Sequence, residues 1–102
     1  MAEGLISIVV PVYREEENIP RLVAEVAEKL KDMDYELILV DDGSDDATFD
    51  EIDKACTQDK RVRGIQLRRN FGQTAAMSAG FEHARGKYIA YMDGDLQTDP
   101  AD

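Results

Sequence analysis

Asp93 and Asp95 stand two residues apart with Gln97 next in phase, so extended backbone puts three oxygen ligands on one side of the chain. Hard oxygen donors suit Mg²⁺ or Mn²⁺, ions commonly held by one or two carboxylates together with substrate phosphates. The trio therefore reads as the seat of a metal-bridged diphosphate, with a solvated turn as the alternative, since Asp and Gly also favour turns. A second acidic group is Asp41-Asp42-Gly43-Ser44-Asp45-Asp46. A carboxylate accepts hydrogen bonds and donates none, which fits Asp42 to the imino N–H of a nucleobase; the alternative is an acidic loop capping the next helix through Asp45 or Asp46. Tyr13, two residues after Pro11, is placed either to stack on a base or to sit half-buried at a strand end. Glu15 is the member of Glu15-Glu16-Glu17 nearest Tyr13, and Arg68, Arg69 and Asn70 stand either to approach phosphate or as ordinary exposed groups. His83 reads as surface or packing and Cys56 as a small core hydrophobe.

These residues need a frame that brings them together. Leu5 to Val10 is a nearly continuous β-branched apolar run closed by Pro11, the pattern of a buried parallel strand. Asn18 offers an N-cap, Pro20 suits a first helical turn, and Ile19, Leu22, Val23, Val26, Leu30 and Met33 recur on one helical face, for a helix from about Ile19 to Lys31. Tyr35 to Val40 is a second strand, followed by the acidic loop and a helix bearing Phe49, Ile52 and Cys56. Arg61 to Leu67 is a third strand. Gln73 to Ala84 is a helix whose Ala and Gly content permits close packing on a sheet, and Lys87 to Met92 is a fourth strand. Alternation of this kind predicts an α/β, Rossmann-like parallel sheet. Ligands of such sheets sit at the carboxyl ends of the strands, where the first, second and fourth runs carry the groups above.

The chain has 102 residues, 12 Lys and Arg against 22 Asp and Glu, a net charge of −10 and 43% hydrophobic residues. That bounds it to one unit over 1–102 and argues against disorder and against bare nucleic acid as a partner. An acidic chain that takes an anionic ligand needs a cation to bridge the two. One cysteine makes no internal disulfide or cysteine zinc cluster. Lacking a bilayer-length apolar run and a basic secretory start, the chain is expected to be soluble on the cytoplasmic side. No glycine-rich turn follows the first strand, which excludes dinucleotide and P-loop fingerprints. A receiver domain would want acids after strand one and an acceptor Asp after strand three, where this chain has Val12-Tyr13-Arg14 and Arg68-Arg69-Asn70. The apolar fourth strand has no covering element after it, so the chain reads as the front part of a larger domain. Its open edge predicts self-association, which a monomeric size-exclusion profile would count against.

In order and placement, Val9-Val10-Pro11-Val12-Tyr13-Arg14-Glu15, Val40-Asp41-Asp42-Gly43-Ser44-Asp45-Asp46 and Asp93-Gly94-Asp95-Leu96-Gln97 resemble the nucleotide-sugar half of family 2 glycosyltransferases. Arg68-Arg69-Asn70-Phe71-Gly72-Gln73 and the stretch from Asp93 to Pro100 look most like the dolichyl-phosphate mannose synthase and bactoprenol glucosyltransferase branch. The resemblance implies the N-terminal part of a glycosyltransferase type A fold, with Pro11, Tyr13 and Glu15 lining a base pocket and Asp42 on the base. Asp93 would face ribose and metal, and Asp95 and Gln97 would help hold Mg²⁺ or Mn²⁺. The family often has Asn where this chain has Arg14. The implied reaction is inverting transfer from a nucleoside-diphosphate sugar to polyprenyl phosphate, with the acceptor-phosphate groups beyond Asp102. This chain would then be a donor-binding fragment inactive alone, its parent attached to the cytoplasmic membrane. A family 2 enzyme with a saccharide acceptor and a non-catalytic nucleotide-binding module are the alternatives.

Overall fold

In the computed structural model, which describes residues 4–92, strands and helices alternate as β1 (Ile6–Val12), α1 (Ile19–Lys29), β2 (Tyr35–Asp41), α2 (Thr48–Gln58), β3 (Val62–Gln66), α3 (Gln73–His83) and β4 (Tyr88–Tyr91). Every ladder is parallel and the sheet order is β3-β2-β1-β4, so the parallel strand–helix alternation expected from the sequence is borne out. β1 and β2 are the central strands, and all of β2 and all of β1 except Ile6 is buried. A strand covered on both faces needs a continuous apolar run rather than an alternating one.

Alternate residues of those runs serve two separate cores. Ile8, Val10, Val12, Leu37 and Leu39 meet Ile19, Leu22 and Val26 of α1 and Ile52 and Ala55 of α2. On the opposite face Val9, Ile38 and Val40 meet Ala76 of α3. This second core is thin because α3 lies close to the sheet: a Cβ built on Gly80 would stand 2.3 Å from Val9 Cγ1. The small residues of α3 permit that approach, as its composition predicts.

Several boundaries differ from the sequence reading for local reasons. Pro11 does not close the first strand. In β1 the backbone of Ile6 and Val12 bonds toward β2 and that of Val9 toward β4, so Pro11 faces the β4 side, one step past the last described pair, Val9 with Tyr91. Its missing N–H thus costs no described ladder bond. α1 stops at Lys29, where the Leu30 N–H bonds to the Val26 carbonyl. Asn18 holds the N-cap position without a side-chain cap; its Nδ2 donates instead to Glu15 Oε1 at 2.7 Å. Cys56 is half-buried against the larger core, and burial pushes its thiol up from the ordinary value. β4 pairs only with β1 among the described residues and leaves Tyr88 56% and Ile89 49% exposed.

At the amino ends of the strands lies a buried polar cluster. Glu36 of β2 accepts the Ser7 hydroxyl at 2.6 Å and the Arg85 N–H at 2.7 Å on Oε2, and Arg63 Nη1 at 2.9 Å on Oε1. Ser7 Oγ in turn accepts the Gly86 N–H, and Arg63 Nη1 also reaches the His83 carbonyl. Burial alone would push the Glu36 carboxyl up, but the Ser7, Arg85 and Arg63 bonds outweigh it and hold it below its ordinary value. The cluster joins β1, β2, β3 and the turn after α3.

Candidate functional site

The opposite end of the sheet gathers three loops: 13–18 after β1, 42–47 after β2 and 67–72 after β3. The first two are laced together. The Arg14 N–H donates to Ser44 Oγ at 2.8 Å, and its guanidinium forks onto Asp45, Nε to Oδ1 at 2.9 Å and Nη2 to Oδ2 at 2.8 Å. That pairing raises the Arg14 guanidinium above its ordinary value. The Glu15 N–H donates to Thr48 Oγ1 at 2.9 Å and the Ala47 N–H to Glu16 Oε1 at 3.1 Å. Asp46 accepts both the N–H and the hydroxyl of Thr48, bonds that hold its carboxyl below the usual range. Of the two expected cap candidates, then, Asp46 anchors the start of α2 and Asp45 pairs with Arg14.

Asp41 ends β2 and Asp42 follows it directly in the loop. Asp41 is fully buried; its Oδ1 accepts the Ser44 N–H at 3.0 Å and its Oδ2 has no partner among the described residues. Asp42, 5% exposed, spends both oxygens on the third loop: Oδ1 accepts the Phe71 N–H at 2.8 Å and the Gly72 N–H at 3.3 Å, and Oδ2 accepts the Gly72 N–H at 3.0 Å. It therefore sits at the N-terminus of α3, where the helix dipole favours negative charge. Gly43 completes the junction, because a Cβ there would fall 2.1 Å from the Arg69 carbonyl carbon. Only glycine fits that contact, and its φ of 75° is one that side chains disfavour.

The structure thus brings Pro11, Tyr13, Glu15 and Asp42 to one end of the sheet. Pro11 is buried in β1, while Tyr13 is 38% exposed with the Arg14 guanidinium carbon 5.0 Å from its ring centroid. Glu15 is half-buried and borders a shallow cavity of about 270 Å³, together with Arg14, Glu16, Glu17, Asn18 and Asp46. Arg68, Arg69 and Phe71 line another of about 420 Å³. Asp93, Asp95 and Gln97, the expected metal ligands, lie outside the described residues, and no group of three or more His, Cys, Asp or Glu among the described residues is arranged to hold a metal. The Met92 N–H donates to the Val9 carbonyl, so the backbone leading to Asp93 leaves at this same end of the sheet. His83 is exposed, its Nδ1 bonded to the Ala79 carbonyl. The sequence reading missed the Arg14–Ser44–Asp45 set and the Asp42 grip on residues 71 and 72, since both join loops about 30 residues apart.

The parallel sheet with alternating helices is shared with solved glycosyltransferases of the type A fold. The chain superposes on S. aureus TarS residues 1–349 in complex with UDP at a TM-score of 0.74 and 25% identity, over 88% of this chain and 27% of that one. It also superposes on the mannosyltransferase PcManGT from Pyrobaculum calidifontis, in complex with GDP-Man and Mn²⁺, at a TM-score of 0.76 and 21% identity, over 90% of this chain and 27% of that one. The family model for glycosyl transferase family 2 matches residues 7–102, and the chain belongs to that family. Among curated proteins it is 50% identical over 100 residues to a dodecaprenyl-phosphate galacturonate synthase of Rhizobium johnstonii, covering 95% of this chain and 30% of that protein. It is 42% identical over 99 residues to an undecaprenyl-phosphate 4-deoxy-4-formamido-L-arabinose transferase of Aeromonas hydrophila, covering 94% and 30%. The chain thus spans under a third of the length of these relatives. No helix among the described residues is long and apolar enough to cross a membrane.

Proposed function

We propose that this chain is the donor-binding part of a metal-dependent, inverting glycosyltransferase that moves a sugar from a nucleoside-diphosphate sugar to polyprenyl phosphate. The observation that carries the reading is its near end-to-end likeness to polyprenyl-phosphate sugar transferases. The convergence of Pro11, Tyr13, Glu15 and Asp42 at the carboxyl end of the sheet supports it. In this reading Tyr13 offers its exposed ring to the base, beside Pro11 and Glu15. Asp42 has used three of its roughly four acceptor positions on backbone N–H groups and keeps one for a base N–H. Asp93, Asp95 and Gln97 are a hard-oxygen set by residue type, suited to Mg²⁺ or Mn²⁺. The ion, when bound, supplies Lewis-acid stabilisation of the departing diphosphate.

An acceptor phosphate is largely ionised at neutral pH, its second pKa being about 6, so it needs less help from a base than a hydroxyl does. The groups that hold it belong to the longer parent, which works at the cytoplasmic membrane surface where a polyprenyl acceptor resides. By itself this chain binds donor and does not turn over. Among the described residues β4 is an edge strand with Tyr88 and Ile89 exposed, which supports self-association of the isolated chain.

Thermal unfolding with UDP- and GDP-sugars, with and without Mn²⁺, tests the reading. Ligand at about 100 times its dissociation constant adds about 2.7 kcal/mol, a rise of roughly 10 °C for a domain of this size. The rise is expected to need Mn²⁺ and to vanish in Asp93→Asn/Asp95→Asn; no rise with any nucleotide would sink the donor assignment.

A further inference from the structure

Arg14 is the one non-glycine residue with positive φ among those described, at 53°. Left-handed backbone is unfavourable for an L-residue unless local bonds over-determine it, and Arg lacks the short side chain that lets Asn or Asp bond its own backbone there. Three contacts hold it. Its N–H reaches Ser44 Oγ, its guanidinium forks onto both oxygens of Asp45, and the same group lies over the Tyr13 ring. An exposed ion pair contributes little by energy alone, but a bidentate fork fixes orientation as well as distance. Ser44 is itself fixed, because its N–H is bound by Asp41, whose carbonyl accepts the Leu67 N–H inside the sheet. The path from the buried end of β2 to the backbone of Arg14 is therefore made of short, directed bonds.

The residues on either side give this path its meaning. Tyr13 precedes Arg14, Glu15 follows it with its own N–H on Thr48, and Asp42 lies between Asp41 and the Ser44 turn. A right-handed Arg14 would send the chain after its amide in another direction and so change where Tyr13 and Glu15 stand relative to each other and to Asp42. We propose that Arg14 is a positioning residue for the nucleotide-sugar donor, its left-handed backbone clamped by Ser44 and Asp45 so that Tyr13 and Glu15 are preset against Asp42. This rests on the donor-site reading above.

Isothermal titration with UDP-glucose and with GDP-mannose, each with Mn²⁺, tests the clamp in the unmodified chain and its variants. Arg14→Ala removes the fork and the ring contact while leaving the left-handed strain, so donor should bind about tenfold more weakly. Arg14→Asn, which tolerates that backbone, should recover most of the loss. Ser44→Ala should lose several-fold and make the Arg14 amide exchange faster with solvent, and Asp45→Asn tests the fork should Arg14→Ala fold poorly by circular dichroism. A loss in Arg14→Ala matched equally by Arg14→Asn, or binding unchanged in Arg14→Ala, Ser44→Ala and Asp45→Asn alike, overturns the clamp while leaving the donor site standing. An unmodified chain that binds neither nucleotide overturns the donor site, and the clamp's role with it.

Discussion

Glu36 and the Asp41–Asp42 pair are buried carboxylates at the two ends of one strand, and their surroundings are opposite in kind. Glu36 is bound by three kinds of donor from three parts of the fold: a hydroxyl of β1, an arginine of β3 and a backbone N–H of the turn after α3. At the other end Asp42 meets only backbone N–H groups and Asp41 keeps an oxygen without a described partner, beside an arginine in left-handed backbone. A buried charge shared among a strand hydroxyl, an arginine and a turn ties strands together. A carboxylate bonded to backbone N–H groups alone ties a loop to a helix start instead.

The sharpest way to break this comparison is Glu36→Ala, which leaves Arg63, Ser7 and the Arg85 N–H without their shared partner. A loss of about 3 kcal/mol is expected from urea unfolding, with little change in donor affinity; a loss under about 1 kcal/mol would mean the cluster is not the staple. The same group sets an acid dependence. Its folded pKa is depressed, so its contribution is complete above the unfolded value near 4.5 and is lost as pH falls below that through the folded value. Glu36→Gln should flatten stability against pH in that window. Next in size, Asp42→Ala frees two backbone donors, at a cost of about 1–2 kcal/mol, with faster amide exchange at Phe71 and Gly72. Unlike Glu36→Ala, it should also abolish measurable donor binding. Smallest is Asp41→Asn, which keeps an oxygen for the Ser44 N–H and replaces the unpartnered one with an amide. Its stability should stay within about 1 kcal/mol of the unmodified chain, and a larger loss would reveal that the second oxygen has a partner in solution.

These two ends were not equally legible in the sequence. The central strands announced themselves as unbroken apolar runs, α1 by its periodic face and α3 by its small residues, because those patterns are local consequences of burial. The acidic motifs were visible as well, since residue type and strand exit are both linear properties. Glu36 was not, although it stands as a lone acid inside Tyr35-Glu36-Leu37, just as Ser7 interrupts Ile6-Ser7-Ile8. Only register sets Ser7 opposite Glu36, and register is decided by the whole sheet. Asn18 drew attention as a cap for a different reason: its residue type suits a cap, whereas its side chain serves Glu15 three residues earlier, a local alternative that residue type does not separate from capping. The left-handed turn at Arg14 left no trace because its bonding partners lie 30 and 31 residues away.

The contact at Gly43 governs how this scaffold can be recombined. The turn after β2 rests directly on the backbone of Arg69 and Asn70, with no room for a methyl group between them. The two segments therefore behave as one module. A chimera that imports the second loop from a relative without also importing the 68–72 crossover would carry a collision at that point, whereas a joint transplant would keep the seam closed.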